Sequence, residues 1–235
     1  MILIFIIVVF IIAISIMVFW FYLRYILTND NPNIWEKQVK KIESRYSGNY
    51  PQNSVVFIGS SSIEYWKTLD KDMVPLKVLN HGIAGTKVAD ITYYAKRLIF
   101  PFNPGVIVFY SGTNDINGIK GNSKTSEDVY QLTIDFFKSV HEKLSKIPIY
   151  YISISPCKAR AKVWSDAHMA NQLIKSYCEK NDNLVFIDAT EMLLDLNKKP
   201  KADIFRFDRL HFNKKGYAIW TSVIRPILIK GIIMK

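Results

Sequence analysis

The stretch VVFIGSSS, Val55–Ser62, decides the fold of this chain. Its first four residues form a continuous apolar run rich in β-branched side chains, which is typical of a strand buried on both faces. A glycine and three serines follow at once, and these residue types favour turns and helix starts. The stretch therefore predicts a buried strand that ends in an exposed serine turn at the beginning of a helix.

The rest of the chain repeats this alternation of strand and helix. Five short apolar runs are each bounded by polar or turn residues, and longer segments with helical spacing lie between them. Such alternation predicts a parallel sheet covered by helices, with right-handed crossovers. The predicted strands are Val55–Ile58, Lys77–Leu79, Val106–Tyr110, Ile149–Ile154 and Leu184–Ile187, and the predicted helices are Lys87–Leu98, Ser126–Leu144, Val163–Lys180 and Lys214–Ile229, the last with Asn213 as its cap and a break or kink near Pro226.

The N-terminal segment is apolar enough to cross a membrane. Met1–Leu23 contains no charged side chain, and a helix of this length spans about 30 Å, the thickness of a bilayer core. Trp20 and Tyr22 lie near its end, where aromatic rings prefer the headgroup level, and Arg24 follows. The basic start, short apolar core and small-residue cleavage site of a cleaved signal peptide are not visible. We therefore predict a single uncleaved transmembrane helix.

The charges that flank this helix predict its orientation. Basic residues follow it, from Arg24 to Lys41, so the positive-inside rule places the rest of the chain in the cytoplasm. A long domain can be translocated despite such charges, which leaves the other side open. Asn31-Pro32 then begins an amphipathic helix that ends near Gly48. The predicted organisation is a transmembrane anchor over residues 1–27, an amphipathic connecting helix over 28–50 and one α/β domain over 51–235.

The composition excludes several classes of protein. Among 235 residues, 49% are hydrophobic and 22% charged, so this is not a disordered polar chain. Cys157 and Cys178 are too few for a disulfide framework or a zinc site of cysteines alone. The net charge is +11, but the lysines are scattered and do not alternate with exposed aromatic residues, as they would in a nucleic-acid binder. Attraction to an anionic membrane surface suits this charge better.

Polar residues follow the predicted strands at the edge of the sheet where ligands bind in such folds. Gly59–Ser62 follows the first strand, a loop with Gly85 the second and Ser111–Asp115 the third, while Asp208–Asn213 precedes the last helix. Each block alone is an ordinary turn or cap. Together they supply what acyl transfer needs: a hydroxyl nucleophile, a base, an acid that orients the base, and oxyanion donors. A carboxylate three residues before a histidine can reach its Nδ1 and leave Nε2 to face a serine.

These blocks carry a resemblance to a known family. GSS at Gly59–Ser61, Gly85, GTND at Gly112–Asp115 and DxxH at Asp208–His211 resemble, in this order, the SGNH hydrolases, also called GDSL esterases and lipases. The resemblance covers roughly residues 50–230. It implies a three-layer α/β/α sandwich with a five-stranded parallel sheet in flavodoxin-like order. It also implies a serine esterase that uses neither a metal nor an organic cofactor.

The resemblance also implies a role for each matching residue. Ser61 would be the nucleophile, His211 the base and Asp208 the acid that orients it. The oxyanion donors would be the backbone N–H groups of Ser61 and Gly85 and the side chain of Asn114.

The first block departs from the family pattern. The usual Asp after the glycine is Ser60 here, and the usual Leu is replaced, so that the turn reads Gly-Ser-Ser-Ser-Ile. A hydroxyl at Ser60 can still cap the turn, so the change does not predict a loss of activity. It does leave several serines as candidates for the nucleophile. The second position after the glycine favours Ser61, and Ser62 is its main rival.

Other polar residues have weaker functional interpretations. His81 stands where many relatives carry Arg, and we interpret it as a loop residue rather than a second base. His141 and His168 lie in predicted helices, where a structural role is favoured. Arg160 follows the fourth strand and can bind an anionic group of the substrate, or it can form a surface ion pair. Trp164 can line a substrate pocket, or it can pack a helix against the core.

The leading hypothesis is a membrane-anchored serine esterase that hydrolyses acyl or acetyl esters through an acyl-enzyme intermediate. Two alternatives stay open: an acyltransferase or deacetylase acting on a cell-envelope glycan or lipid, and a catalytically idle domain that binds an envelope ligand. The expected partners are a small-molecule, lipid or glycan ester and the membrane, without nucleic acid. The sequence does not show the acyl chain length or the oligomeric state.

Overall fold

The computed structural model describes residues 1–233, and the chain divides into two compact units. The first unit ends at Asn31 and the second begins at Pro32. The first unit is a single helix, α1 (Ile2–Thr28), whose apolar side chains are exposed along almost its whole length. Its most apolar 18-residue window has a mean hydropathy of 3.5. Among the described residues, α1 is the one helix long and apolar enough to cross a membrane.

The second unit is built on a five-stranded parallel sheet, as predicted. Its order is β2-β1-β3-β4-β5, which confirms the flavodoxin-like arrangement. The direction of strand addition reverses at β1, and ligands bind at the carboxyl ends of the strands beside such a reversal. The strands are β1 (Val55–Gly59), β2 (Val78–Gly82), β3 (Val106–Tyr110), β4 (Ile149–Ile152) and β5 (Leu184–Ile187).

Helices cover both faces of the sheet and complete the three layers. Three of them pack side by side on one face, with a fourth against the first of these, and three more cover the other face. The first group is α5 (Val88–Leu98), α6 (Ser126–Lys143) and α7 (Trp164–Cys178), joined by α2 (Glu36–Glu43); the second is α3 (Ser61–Glu64), α4 (Leu69–Asp72) and α8 (Lys214–Ile233).

The strands are apolar on both sides because both sides are covered. On one face, Phe57 packs with Trp66 and Trp220 in a buried aromatic cluster. On the other face, the ring centroids of Phe109 and Phe136 lie 4.0 Å apart. Each of these five side chains is fully buried. Burial of large rings on both faces holds the strand ends, and the loops after them, in fixed positions.

The last helix begins as predicted but does not break. Asn213 caps α8, because its Oδ1 accepts a hydrogen bond of 2.8 Å from the backbone N–H of Lys215. The helix then runs without a break past Pro226, where a break or a kink was predicted. Ile224 and Leu228, on either side of the proline, are fully buried in the core. Proline has no backbone N–H, so the helix lacks one hydrogen bond at Pro226. The packing of Ile224 and Leu228 in the core compensates for that loss.

The helix α2 belongs to the second unit and is tied to α5. Arg97 on α5 pairs with two glutamates of α2, at 2.7 Å to Glu36 and 2.5 Å to Glu43. The helix ends at Glu43, somewhat earlier than the predicted end near Gly48. Ser47 and Gly48 both have positive φ angles, which a helix does not accommodate.

Candidate active site

The serine turn between β1 and α3 is held tightly against β3. The backbone N–H of Ser60 donates a hydrogen bond of 3.2 Å to the carbonyl oxygen of Tyr110. Gly59 has a φ of 152°, and a Cβ atom at this position would collide with the same carbonyl oxygen. Glycine is therefore required for the close approach of the two strands. As a result, Ser61 begins α3 at the carboxyl end of the sheet.

The structure brings Ser61, His211 and Asp208 together in one line. His211 Nε2 lies 3.0 Å from Ser61 Oγ, although the two residues are 150 positions apart in the sequence. His211 Nδ1 lies 2.8 Å from Asp208 Oδ2. The other carboxylate oxygen, Oδ1, accepts backbone hydrogen bonds of 2.9 Å each from Leu210 and His211. These contacts fix the carboxylate, and the carboxylate in turn fixes the imidazole.

The environment of Asp208 favours its charged form. Burial raises the pKa of this carboxyl, but the backbone and side-chain hydrogen bonds from His211 and the backbone hydrogen bond from Leu210 outweigh that effect. The net pKa of Asp208 is lowered from its ordinary value. An ionised carboxylate at Nδ1 holds the proton on that nitrogen, which leaves Nε2 free to accept the proton of Ser61.

The rival serine lies in a different environment. The Ser62 carbonyl oxygen accepts a hydrogen bond of 3.0 Å from the Tyr217 hydroxyl on α8. The serine in hydrogen-bond contact with His211 is Ser61.

Two further loops reach the same edge of the sheet and are bonded to each other. Gly85, in the loop after β2, has a φ of 95°, which favours glycine. Asn114, in the turn after β3, uses its Nδ2 to donate a hydrogen bond of 3.0 Å to the carbonyl oxygen of Thr86. The next residue, Asp115, accepts a hydrogen bond of 3.2 Å from the backbone N–H of Val88. Two adjacent side chains therefore connect the Gly85 loop to the Asn114 turn.

Two residues beside the histidine were missed by the sequence analysis. The Tyr65 ring meets the His211 ring edge-on, with centroids 5.0 Å apart, and the Arg206 guanidinium lies 5.0 Å from the Tyr65 ring centroid. Tyr65 is one helical turn after Ser61, so helical spacing could have indicated it. Arg206 faces His211 across a small hairpin closed by Phe205 and Phe212, and the sequence carries no clear signal for that pairing.

The other three histidines lie in different environments. His81 lies in β2 rather than in a loop and is fully buried. Its Nδ1 lies 2.7 Å from the carbonyl oxygen of Leu98, and its Nε2 lies 2.8 Å from the Tyr46 hydroxyl, so the ring donates to one and accepts from the other. Burial lowers the pKa of His81 to about 4. His141 bonds a backbone carbonyl, and His168 is exposed beside Trp164.

Arg160 and Trp164 follow β4, as predicted, but they have different surroundings. The backbone N–H of Ala159 donates a hydrogen bond of 3.2 Å to the carbonyl oxygen of Arg209, which holds this segment against the hairpin of Asp208 and His211. The Nε atom of Arg160 is buried and has no hydrogen-bond partner among the described residues. The Trp164 side chain is half-buried and packs against a small apolar cluster. Among residues 1–233, no group of three histidine, cysteine or acidic side chains is arranged to hold a metal ion.

The comparison with protein families decides the identity of this domain. The GDSL-like lipase/acylhydrolase family matches residues 59–219. The chain belongs to this family. Membership confirms the resemblance drawn from the sequence and supports an ester-hydrolysing serine hydrolase.

Individual proteins similar to this family member differ in their descriptions. An N-acylneuraminate cytidylyltransferase from Escherichia coli is 31% identical over 185 residues, and the alignment covers 75% of this chain but 40% of that protein. A GDSL-like lipase structure from Bacteroides thetaiotaomicron has a TM-score of 0.69 at 17% identity, covering 83% of this chain and 98% of that one. An acetylxylan esterase from Geobacillus stearothermophilus has a TM-score of 0.60 at 14% identity, covering 74% and 93%. The two structures show the shared fold.

Proposed function

We propose that this domain hydrolyses carboxylic esters with Ser61 as the nucleophile, His211 as the general base and Asp208 as the residue that orients His211. The observation that carries the proposal is the line of two short hydrogen bonds from Ser61 Oγ through the imidazole to Asp208. The oxyanion donors in this proposal are the backbone N–H groups of Ser61 and Gly85 and the side chain of Asn114. One amide hydrogen of Asn114 binds Thr86, and the second is left for the substrate.

The proposed reaction has two halves. Ser61 Oγ attacks the ester carbonyl carbon while its proton passes to His211 Nε2. Collapse of the tetrahedral intermediate breaks the bond to the alcohol, which leaves with the proton from Nε2, and Ser61 remains acylated. Water then gives a proton to His211 and attacks the acyl group. Release of the acid returns the proton to Ser61 Oγ.

A fluorophosphonate probe tests the nucleophile. The probe labels an activated serine, so the wild type is expected to react and Ser61→Ala is expected to lose all labelling. Ser62→Ala is the matched control, because His211 contacts the Ser61 hydroxyl rather than that of Ser62, and it is expected to label like the wild type. Equal labelling of Ser61→Ala and the wild type would remove Ser61 from the proposed role.

The acceptor of the acyl group separates the proposed hydrolase from the alternatives. A hydrolase releases free acid from p-nitrophenyl acetate at a rate that an added sugar or alcohol does not change. An acyltransferase acting on an envelope glycan or lipid would instead form a new ester with the added acceptor. A binding domain without catalysis would neither label nor release p-nitrophenol. The hydrogen bond between Ser61 and His211 supports the first two against the third.

We propose that the substrate carries an anionic group and that Arg160 binds it. A buried guanidinium atom without a partner is unfavourable, and burial also lowers the pKa of Arg160. A carboxylate or phosphate on the substrate would remove this cost through charge-assisted hydrogen bonds. The E. coli relative is named for N-acylneuraminate, an acidic sugar, and one structural neighbour is named an acetylxylan esterase. An O-acetylated acidic sugar combines the acidic group with the acetyl ester. In this proposal, Trp164 forms a wall of the substrate pocket.

Substitution of Arg160 tests this substrate class. Arg160→Gln is expected to lower kcat/KM for an O-acetylated N-acylneuraminate by about ten- to hundred-fold, the usual worth of a hydrogen bond to a charged group. Hydrolysis of the neutral ester p-nitrophenyl acetate should stay within about two-fold of the wild type. Lys158→Gln, which removes an exposed cation from the same segment, is the control. An equal effect of Arg160→Gln on both esters would contradict anion recognition.

We propose that α1 anchors the domain to a membrane, with the domain on the cytoplasmic side. The uniform exposure and hydropathy of α1 support the anchor, and the basic residues after it support the orientation. The intact chain should then stay in the membrane fraction after alkaline carbonate washing, and the domain should resist protease added outside the cell. A mature protein that begins after Thr28 would show a cleaved signal sequence instead.

A further inference from the structure

Two consecutive hairpins each expose an apolar side chain at the tip, and the second of them contains residues of the proposed active site. The segment 191–212 folds into two small hairpins, one closed by Leu194 and Pro200 and the other by Phe205 and Phe212. Leu196 lies at the tip of the first and Phe207 at the tip of the second, with exposed fractions of 102% and 97%. We call this segment, 191–212, the paired tips. The second hairpin carries Asp208 and His211, so its tip borders the proposed site.

The exposure of these side chains is built into hydrogen-bonded turns. In the first hairpin, Asp195 Oδ1 accepts hydrogen bonds from the backbone N–H groups of Asn197 at 2.8 Å and Lys199 at 3.0 Å. In the second, the backbone N–H of Arg206 donates to His211 O at 2.8 Å. The bases of the hairpins are buried in the core, through Leu193 beside the first hairpin and through Ile204 and Phe212 at the second. These hydrogen bonds and the buried bases therefore hold both turns in defined conformations that point the two apolar side chains toward solvent.

The polar surroundings of the tips are strongly basic. Residues 191–215 contain seven basic and four acidic side chains, and the neighbouring stretch 158–162, which is bonded to Arg209, adds three basic side chains and no acid. Two of the four acids are already paired with lysines, Glu191 with Lys198 and Asp203 with Lys215. More than half of the chain's net charge of +11 thus lies in these 30 positions. Exposed apolar side chains surrounded by basic residues are suited to bind an anionic lipid surface. The apolar side chains can enter the headgroup layer, and the basic side chains can bind lipid phosphates.

We propose that the paired tips dock the active-site face onto an anionic bilayer, with Leu196 and Phe207 entering the headgroup layer. Charge complementarity favours an anionic bilayer over a neutral one, because each exposed Lys or Arg is attracted to anionic lipid. Salt screens this attraction. Docking would bring Ser61 to substrates that lie in the lipid surface. The docking itself does not depend on the proposed chemistry.

The test measures the depth of single nitroxide labels in the full chain reconstituted in vesicles. Labels are placed through Leu196→Cys and Phe207→Cys, and through Lys138→Cys on α6 as the exposed control. Cys157 and Cys178 are buried, so they are protected from the reagent. In phosphatidylcholine with about 30% phosphatidylglycerol, the labels at 196 and 207 are expected to gain oxygen accessibility and lose accessibility to a water-soluble nickel complex. The label at 138 should stay in water.

Vesicles without anionic lipid, and vesicles at high salt, test whether charge drives the docking. In pure phosphatidylcholine, or at high salt, all three labels should be equally exposed to water. Labels at 196 and 207 that match the label at 138 in anionic vesicles would overturn the proposal. Equal burial in neutral and anionic vesicles would overturn the role of charge. As a second readout, Phe207→Ser should keep hydrolysis of soluble p-nitrophenyl acetate within about two-fold while losing at least about five-fold on a vesicle-embedded ester, an estimate from the apolar area removed. Because the label measurement needs no catalysis, failure of docking and failure of the proposed hydrolase are distinguishable.

Discussion

The hairpin of Asp208 and the turn of Asn114 and Asp115 place two carboxylates in opposite electrostatic environments. Asp208 is partly exposed and accepts hydrogen bonds from Leu210 and His211, and its pKa is lowered. Asp115 is fully buried, and burial raises its pKa to about 7 despite the hydrogen bonds from Val88. Burial is the largest single influence on the pKa of both carboxyl groups. Asp208 is less deeply buried than Asp115 and accepts more hydrogen bonds, so a carboxylate at a sheet edge stays charged where it keeps some exposure and the chain turns several N–H groups toward it.

This difference separates two functions within one site. A charged carboxylate suits the orientation and stabilisation of an imidazolium, as proposed for Asp208. The buried carboxyl of Asp115, next to Asn114, is suited to hold the turn after β3 against the start of α5 through its hydrogen bonds with Val88. Variants that remove charge at each position should therefore have different effects on rate and on stability.

The largest effect is expected from Asp208→Asn. The amide keeps the shape but removes the charge that holds the proton on His211 Nδ1, so kcat should fall by about 10³- to 10⁴-fold. Steady-state hydrolysis of p-nitrophenyl acetate measures this. Asp203→Asn, which removes an exposed acid from the same loop, is the control and should stay within about two-fold. A kcat for Asp208→Asn above a tenth of the wild type would contradict the orienting role.

The sequence predicted the parts of this site that depend on strand ends. Once the chain alternates strand and helix, the residues after Gly59, Gly82 and Tyr110 must lie at one edge of the sheet. The Asp-x-x-His spacing places a carboxylate within reach of its histidine inside one loop. These relations are local or topological, so they follow from pattern alone.

Other features depend on contacts that no local pattern fixes. Arg206 reaches the Tyr65 ring because Phe205 pairs with Phe212, and that register is set by packing of both rings in the core. Pro226 stays inside a helix because buried neighbours hold it there. His81 is a buried polar side chain in the edge strand β2, where two hydrogen bonds satisfy it.

An intermediate effect is expected from Asn114→Ala. Loss of one oxyanion donor should lower kcat by about 10²- to 10³-fold with little change in KM, because the donor binds the transition state more strongly than the substrate. The lost hydrogen bond to Thr86 should also cost about 1 kcal/mol in the free energy of unfolding. Asn117→Ala separates the two effects: its buried amide bonds the Asn114 carbonyl at 3.0 Å, so it should cost similar stability and less than ten-fold in kcat. Equal kcat losses in both variants would show that Asn114 acts through the loop alone.

The smallest effect on rate, and the clearest effect of pH on stability, is expected from Asp115→Asn. The pKa of Asp115 is about 7 in the folded chain against 3.8 for a free carboxyl, so the folded state holds a proton that the unfolded state releases. The free energy of unfolding should therefore fall as pH rises from about 4 to 7, by about 1.4 kcal/mol per unit of pKa difference and at most a few kcal/mol.

Asparagine does not titrate, and its side-chain oxygen can still accept the hydrogen bonds from Val88. Asp115→Asn should therefore gain stability relative to the wild type as pH rises, and the gain should be larger at pH 8 than at pH 5. Guanidinium unfolding of both proteins in detergent at the two pH values measures the change. Asp135→Asn, which changes an exposed acid on α6, should show no such trend. A difference between wild type and Asp115→Asn that does not vary with pH would mean that the Asp115 carboxyl is ionised in the folded chain throughout this range, like that of Asp208.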